Sequence, residues 1–364
     1  GDPAGDGLQW NIQKIGADAA WKNGVDGQGV VVATLDGGVR YTHEALVGNY
    51  RGTLESAAAG TTESNNRQQD HLNHQFDHDY NWKDYAYKSA YPFDSDGHGT
   101  NVQGILSGSK ASGVGVAPGS KWISGKIFNF AGYSSNEWTL SGVQWAMCPT
   151  PVNSEQGANC SLGADIVSCS WGEGDATTGF LKEAMASWLK AGMVPVFAVG
   201  NAGPACATVV SPADYSGVIS VGATDSHDGM VAFSSRGPGA NGTDGALPYD
   251  PLTPNIVAPG LEIQGPSHTD DSGYAGFSGT SQAAPHAAGA AALVLSAHPS
   301  WTPKQVAAQL FGSAVTTALE APGSGWLECG SPARMGLDGG KGGDWPNFVG
   351  GHGRVDVSEL GKNK

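Results

Sequence analysis

Apolar and polar positions along the chain fall into two alternating kinds of segment. The first is a short, unbroken apolar run rich in β-branched residues, as at 29–35 (GVVVATL), which stops at Asp36-Gly37-Gly38. No polar position alternates through it, so both faces are set for burial, as in a parallel sheet. Similar runs recur at 122–127, 165–170, 193–199 and 218–221. The second kind has helical spacing. Residues 138–147 gather Trp138, Leu140, Val143, Trp145 and Ala146, and residues 179–191 carry Phe180, Leu181, Met185, Trp188 and Leu189. Residues 281–297 are almost wholly Ala, Leu and Val, which predicts a helix inside the core. Thr302-Pro303 opens a last helix over 302–311, an N-cap followed by proline at the first helical position. Strands alternating with helices predict βαβ units. The fold class is therefore α/β, a three-layer α/β/α arrangement around a mostly parallel sheet.

Two stretches break the pattern. Residues 51–92 are polar, with Asn65-Asn66-Arg67-Gln68-Gln69 and then His71, His74, Asp77, His78 and Asp79, and are expected to form a surface insertion. Residues 323–353 are Gly-rich and expected to be irregular. A chain of 364 residues is long enough for two domains. The apolar runs nevertheless form one continuous series, so residues 1–364 are read as one domain.

Composition narrows the function. Nineteen Lys+Arg against 34 Asp+Glu leave a net charge of −15, which argues against nucleic-acid partners and against anionic membranes. No apolar run reaches the roughly 18 residues that span a bilayer. The opening Gly-Asp-Pro-Ala-Gly has neither an initiator Met nor a signal peptide, as expected of a processed chain. Five cysteines, an odd number, suggest two disulfides and one thiol.

Three patches put reactive residues beside glycines at the ends of apolar elements. Asp36 follows a buried strand at its carboxyl end, where open α/β sheets place their sites. His98 lies in Asp94-Ser95-Asp96-Gly97-His98-Gly99-Thr100, a tight turn into a helix. Ser281 lies in Phe277-Ser278-Gly279-Thr280-Ser281, at the mouth of the Ala-rich helix, with free N–H groups and a positive dipole end nearby. Taken singly, each has a structural reading: a turn cap, a helix-terminal histidine, an N-cap. Together they supply a hydroxyl nucleophile, an imidazole to take its proton and a carboxylate to orient the imidazole. Gly200-Asn201 follows another buried strand, and its side-chain amide, with the Ser281 backbone N–H, offers donors for an oxyanion. His286, inside the core helix, reads as a satisfied structural residue, and Asp94 and Asp96 as shaping their loop.

In these motifs and their order the chain resembles the subtilisin-like serine peptidases from about Trp10 to Val357. It has features of the bacillopeptidase F-like branch: Trp10-Asn11-Ile12 leading to Ala20-Trp21, and Asn81-Trp82 ahead of the histidine patch. The motifs are Val32-Ala33-Thr34-Leu35-Asp36, His98-Gly99-Thr100, Gly200-Asn201 and Gly279-Thr280-Ser281-Gln282-Ala283-Ala284-Pro285-His286. The resemblance implies a subtilisin-like fold and a secreted serine endopeptidase that works through an acyl-enzyme. In it Ser281 is the nucleophile, His98 the base and then acid, Asp36 the orienting carboxylate and Asn201 an oxyanion donor. Ser170, Trp171, Gly172 and Gly200 on one side, and Gly132, Tyr133 and Ser134 on the other, are implied to bind substrate. The implied partners are a protein or peptide substrate and the chain's own cleaved propeptide, with no nucleic acid or membrane, and the chain is expected to be a monomer.

Departures from the family set further expectations. Gly37 stands where the family often has Thr or Ser, which predicts a less supported Asp36 carboxylate; Gln282 stands where Met is common. Hydrolysis requires no cofactor. Segment 108–118 lacks the Asn-rich loop of the strongest calcium site in some relatives, so structural calcium is optional; His71, His74, Asp77, His78 and Asp79 have the donor types for a metal but read first as an ordinary polar loop. Cys148 and Cys160, flanking a Pro/Asn/Gly-rich loop, are taken as one disulfide, with Cys206 and Cys329 as the second and Cys169 a buried thiol. Four cysteines allow three pairings, and sequence does not choose among them. Glu173 has two readings: one draws a basic substrate side chain, and the other, given at least equal weight, is an exposed loop residue beside a broad apolar or aromatic preference. An unperturbed histidine base places the rise of activity at about pH 6–7. Two rivals differ in class: a silent peptide-binding module, and a transpeptidase or macrocyclase with the same triad.

Overall fold

The structure, a computed structural model, describes residues 7–54, 67–69, 74–173, 179–240, 252–316, 319, 329 and 345–362. Two short helices, α1 (Trp10–Lys14) and α2 (Ala17–Lys22), precede β1 (Val31–Asp36). Strands β2 (Thr53–Leu54), β3 (Arg67–Gln69) and β4 (Gln75–Asp77) follow, then β5 (Trp82–Asp84), α3 (His98–Ser107), β6 (Lys121–Lys126), α4 (Asn136–Met147) and β7 (Ile166–Cys169). Next come α5 (Lys182–Lys190), β8 (Val194–Ala198), β9 (Ile219–Thr224), β10 (Ile256–Pro259), β11 (Ile263–Pro266), β12 (Tyr274–Phe277), α6 (Thr280–Ala297) and α7 (Pro303–Gly312).

Seven strands form one sheet in the order β10-β9-β8-β7-β1-β6-β5, and every neighbouring pair is parallel. From β1 the chain builds β5 and β6 on one flank and β7 to β10 on the other, so β1 sits where the strand order reverses. A crevice opens there at the carboxyl ends of the strands. Alternation along β1 decides what faces each side. Val32 packs into a core with the alanines of α6 and with Leu106 of α3. Ala33 and Leu35 pack into the opposite core with Val143 and Trp145 of α4 and Met185 and Trp188 of α5. Helices cover both faces, giving the three layers expected. By the same parity Thr34 and Asp36 point toward α3, and the Thr34 hydroxyl donates to Gln103 Oε1 at 2.8 Å.

Helix α6 is buried along nearly its whole length. Its alanines let it lie flat on the sheet. Pro285 has no N–H to donate to the Ser281 carbonyl four residues back, and the Ser170 hydroxyl takes that place, donating to Ser281 O at 2.7 Å. The neighbouring His286 is satisfied, as the sequence suggested. Its Nδ1 donates to the Gln282 carbonyl, so its Nε2 accepts from Asn11 Nδ2 at 2.7 Å, tying α1 to α6. Burial lowers its pKa to about 4. Helix α7 has the expected cap: Thr302 and Gln305 form a capping box, with proline inside the first turn.

The 51–92 stretch holds more of the fold than its polarity suggests. Strands β2, β4 and β3 form an antiparallel sheet, and β5 is the edge of the central sheet. His78 is fully buried because the Tyr50 hydroxyl bonds to its Nδ1 and aromatic rings surround it. Of the three open pairings, the structure makes Cys148–Cys160 and Cys206–Cys329, leaving Cys169 buried in β7.

The contact of α3 with β11 generates a stability test. A Cβ on Gly104 would lie 2.0 Å from Pro266 Cδ, and neither element has room to retreat. Gly104→Ala is expected to cost about 2–3 kcal/mol in urea unfolding; an unchanged midpoint would show that the two elements part freely.

Candidate functional site

Three elements meet at the carboxyl edge of the sheet. Asp36 ends β1 with its side chain buried, and its Oδ1 accepts from the Gly37 N–H at 2.6 Å and from His98 Nδ1 at 2.8 Å. Because the carboxylate accepts, Nδ1 carries the proton, and a neutral His98 keeps its lone pair on Nε2. The imidazole side chain is 29% exposed against 4% for Asp36, so one face of the pair is open to a reactant and the other is not. Among the described residues, buried Asp36 Oδ2 has no hydrogen-bond partner.

His98 is the first residue of α3, and two carboxylates cap that helix in place of a side-chain N-cap. Asp96 accepts from the His98 N–H, and Asp94 accepts from the N–H groups of Gly97 and Thr100 and from the Thr100 hydroxyl. Both residues shape the loop, as expected. The register also depends on Gly99. A Cβ there would lie 2.2 Å from Gly38 O and 3.1 Å from Asp36 Oδ1, forcing α3 away from the carboxylate.

Charge sets the imidazole's protonation. Burial pulls the His98 pKa down, but the Asp36 carboxylate, by charge and hydrogen bond, then Asp96 and Asp94, outweigh it and raise it to about 9. The neutral base therefore forms on the alkaline side of the pH 6–7 window expected from residue type alone. Burial and the Asp36 charge raise the Cys169 thiol well above its usual range, which keeps it an inert apolar side chain.

Ser281 lies in the first turn of α6. Its hydroxyl donates to Ser170 O at 3.1 Å, while Ser170 donates back to Ser281 O, so β7 and α6 are joined by a reciprocal pair. Among the described residues no hydrogen bond joins Ser281 to His98. Asn201 follows β8. Its Oδ1 accepts from the Thr280 N–H and hydroxyl, which fixes the amide and leaves Nδ2 to donate. A Cβ on Gly279 would lie 3.5 Å from both Asn201 Nδ2 and Ser281 N, so the two donors border one small volume.

A cleft of about 200 Å³ lies beside the pair, lined by residues that include His98, Phe128, Gly132, Ser170 and Trp171. Trp171 is held by its indole N–H on Leu35 O and edge-on to Phe197. Of the predicted substrate residues, Gly132, Ser170 and Trp171 line this cleft. Tyr133 is exposed, the Ser134 hydroxyl bonds Thr139, Gly172 is exposed beside Val210, and Gly200 donates to the Thr280 hydroxyl. Glu173 pairs by backbone with Ser211. His71 lies outside the described residues; among those described, no three His, Cys, Asp or Glu side chains are grouped to hold a metal. Segment 108–118 carries no carboxylate.

Two residues at the site escaped the sequence reading. Phe128 lines the cleft, and Lys126, fully buried, donates to the Gly37 carbonyl. The available signal was a lysine closing an otherwise apolar run.

Comparison with known proteins gives this α/β architecture its class. The Subtilase family profile matches residues 27–339. Bacillopeptidase F of Bacillus subtilis (strain 168) is 34% identical over 308 residues, covering 82% of this chain and 19% of that protein, so the match spans about a fifth of its length. Subtilisin of Bacillus pumilus is 31% identical over 84% of this chain and 91% of its own, and Subtilisin Savinase of Lederbergia lenta 32% identical over 85% and 92%. A crystal structure of a cold adapted subtilisin-like serine proteinase superposes with a TM-score of 0.61 over 86% of this chain and 94% of that chain; at 24% identity it shows the shared fold. The chain belongs to the subtilase family of serine peptidases, as its motifs suggested.

A titration tests the electrostatics directly. The His98 ring protons are expected to titrate near 9 by NMR, and Asp96→Asn, which removes one nearby negative charge, to lower that midpoint. A midpoint at the ordinary value of about 6.5 would contradict the carboxylate field.

Proposed function

We propose that this chain is a secreted serine endopeptidase, one domain acting as a monomer, which hydrolyses proteins through an acyl-enzyme on Ser281. Neutral His98 takes the Ser281 proton on Nε2 as Oγ bonds to the substrate carbonyl carbon. Asn201 Nδ2 and the Ser281 N–H hold the oxyanion. The C–N bond then breaks, and His98 passes its proton to the departing amine. Water, deprotonated by His98, attacks the acyl carbon and frees Ser281. Asp36 keeps the imidazole oriented and compensates its charge. Subtilase hydrolysis needs no cofactor. Gly132, Tyr133 and Ser134 on one side, and Ser170, Trp171, Gly172 and Gly200 on the other, are assigned to the substrate backbone and its pockets. The chain's own cleaved propeptide is assigned to the same cleft as a second occupant. The observation that carries this reading is the 2.8 Å bond between Asp36 and the partly exposed His98.

One observation favours a silent peptide-binding module instead: the Ser281 hydroxyl rests on Ser170 O. Rotation about a single Cα–Cβ bond between staggered wells frees it, and catalytic hydrogen bonds often tighten only around substrate. Turnover decides between the two.

A fluorophosphonate is expected to label wild-type protein stoichiometrically at Ser281 and to leave Ser281→Ala unlabelled; folded wild type that does not label, or labels without cleaving fluorogenic peptides, supports the silent reading. Asn201→Ala is expected to lower kcat by roughly 10²–10³-fold, the magnitude known for such a donor in a subtilisin. Below its pKa of about 9, His98 is mostly protonated and cannot accept the Ser281 proton. kcat/KM is therefore expected to climb with pH, by at most about tenfold per unit, and to level off above that value. Full activity at pH of about 3 would exclude an imidazole base.

A further inference from the structure

Lys126 ends β6, in register beside Asp36 on β1, and is fully buried. Its ammonium donates to Gly37 O and, at 2.6 Å, to Ser95 Oγ. It lies 4.9 Å from the Phe93 ring centroid and 5.3 Å from that of Tyr87. Among the described residues it forms no ion pair with a carboxylate. A buried ammonium in that position is costly. Burial does lower its pKa, and the fields of Asp84, Asp94, Asp96 and Asp36 oppose that shift.

The two acceptors explain the placement. Gly37 follows Asp36, and Ser95 lies in the loop that delivers His98. One cation therefore bridges the backbone of the carboxylate turn to the loop of the imidazole. Charged and titratable groups reach this region from every element packed on it. Asp36 comes from β1, Asp84 from the end of β5, Asp94 and Asp96 from the loop before α3, and Lys126 from β6. His268, from the connection between β11 and β12, stands against Gly97. Lys126 is a cation amid these carboxylates, whereas Arg40 is paired with Asp271 and Lys83 with Glu155.

We propose that Lys126 is a positioning residue for hydrolysis: clasped between Gly37 O and Ser95 Oγ, it holds the Asp36 turn against the His98 loop and offsets the negative field of the surrounding carboxylates. This rests on the reading of Asp36 and His98 as the catalytic pair. Without the ammonium, one positive charge opposing the carboxylates is lost, and the imidazole holds its proton to higher pH.

The test uses Lys126→Met, similar in length and uncharged, and Lys126→Arg, in the full chain. kcat and KM for a peptide p-nitroanilide are read across pH, beside fluorophosphonate labelling of Ser281. Lys126→Met is expected to keep KM within about threefold, to lower kcat about tenfold and to move the ascending limb of kcat/KM upward by about half to one pH unit. Lys126→Arg is expected to return the limb toward the wild-type position. A folded Lys126→Met with unmoved limb and unchanged kcat overturns the role while leaving the catalytic pair standing; wild type that neither labels nor turns over overturns the pair itself. If Lys126→Met does not fold, Ser95→Ala decides, since it removes one of the two acceptors at a half-buried position. It is expected to lower kcat at unchanged KM, and an unchanged kcat overturns the proposal.

Discussion

The close seat of α6 on the parallel sheet is the constraint on which the site depends. A helix of alanines has no bulk to hold it off the strands. It therefore reaches β7 and β8 at their carboxyl ends, where Ser170 and Asn201 receive its first turn. Ser170 fills the hydrogen bond that Pro285 leaves open, and Asn201 accepts from Thr280. Both contacts need the helix start to lie at one height along the sheet. Larger residues along this face would lift α6 and separate the hydroxyl, the amide and the imidazole together.

Electrostatics is the second constraint. Asp36, Asp94 and Asp96 do structural work first, accepting from backbone N–H groups at the start of α3 and after β1. Their charges are then felt at His98, which becomes a stronger base that is free only in alkaline solution. The loop geometry and the base strength are thus one property.

Much of this was readable in the chain. Residues 29–35 announced β1 because a strand buried on both faces must be apolar throughout, and Asp36 marks its carboxyl end. Thr302-Pro303 announced α7 because its capping is local. His286 was rightly set apart from the chemistry, since a histidine among alanines must find partners inside the core. What escaped reading depends on contacts distant in sequence. Lys126 looks like an exposed strand end until Tyr87 and Phe93 fold over it. β5 is three residues long and contains lysine and aspartate, so only its pairing with β6 marks it as a strand. Residues 51–92 read as surface because polarity cannot reveal that His78 is enclosed by rings. The resting place of the Ser281 hydroxyl is set by the carbonyl of a serine 111 residues away.

The bond between Cys206 and Cys329 bears on where such a chain can work. Cys206 lies five residues beyond Asn201 and is fastened across a separation of 123 residues. The Asn201 amide therefore stands on a loop whose anchorage is covalent and reducible. In an oxidising medium that footing is permanent. Among reducing thiols it is only as firm as the surrounding packing, so the redox character of the compartment reaches the donor through the loop that carries it.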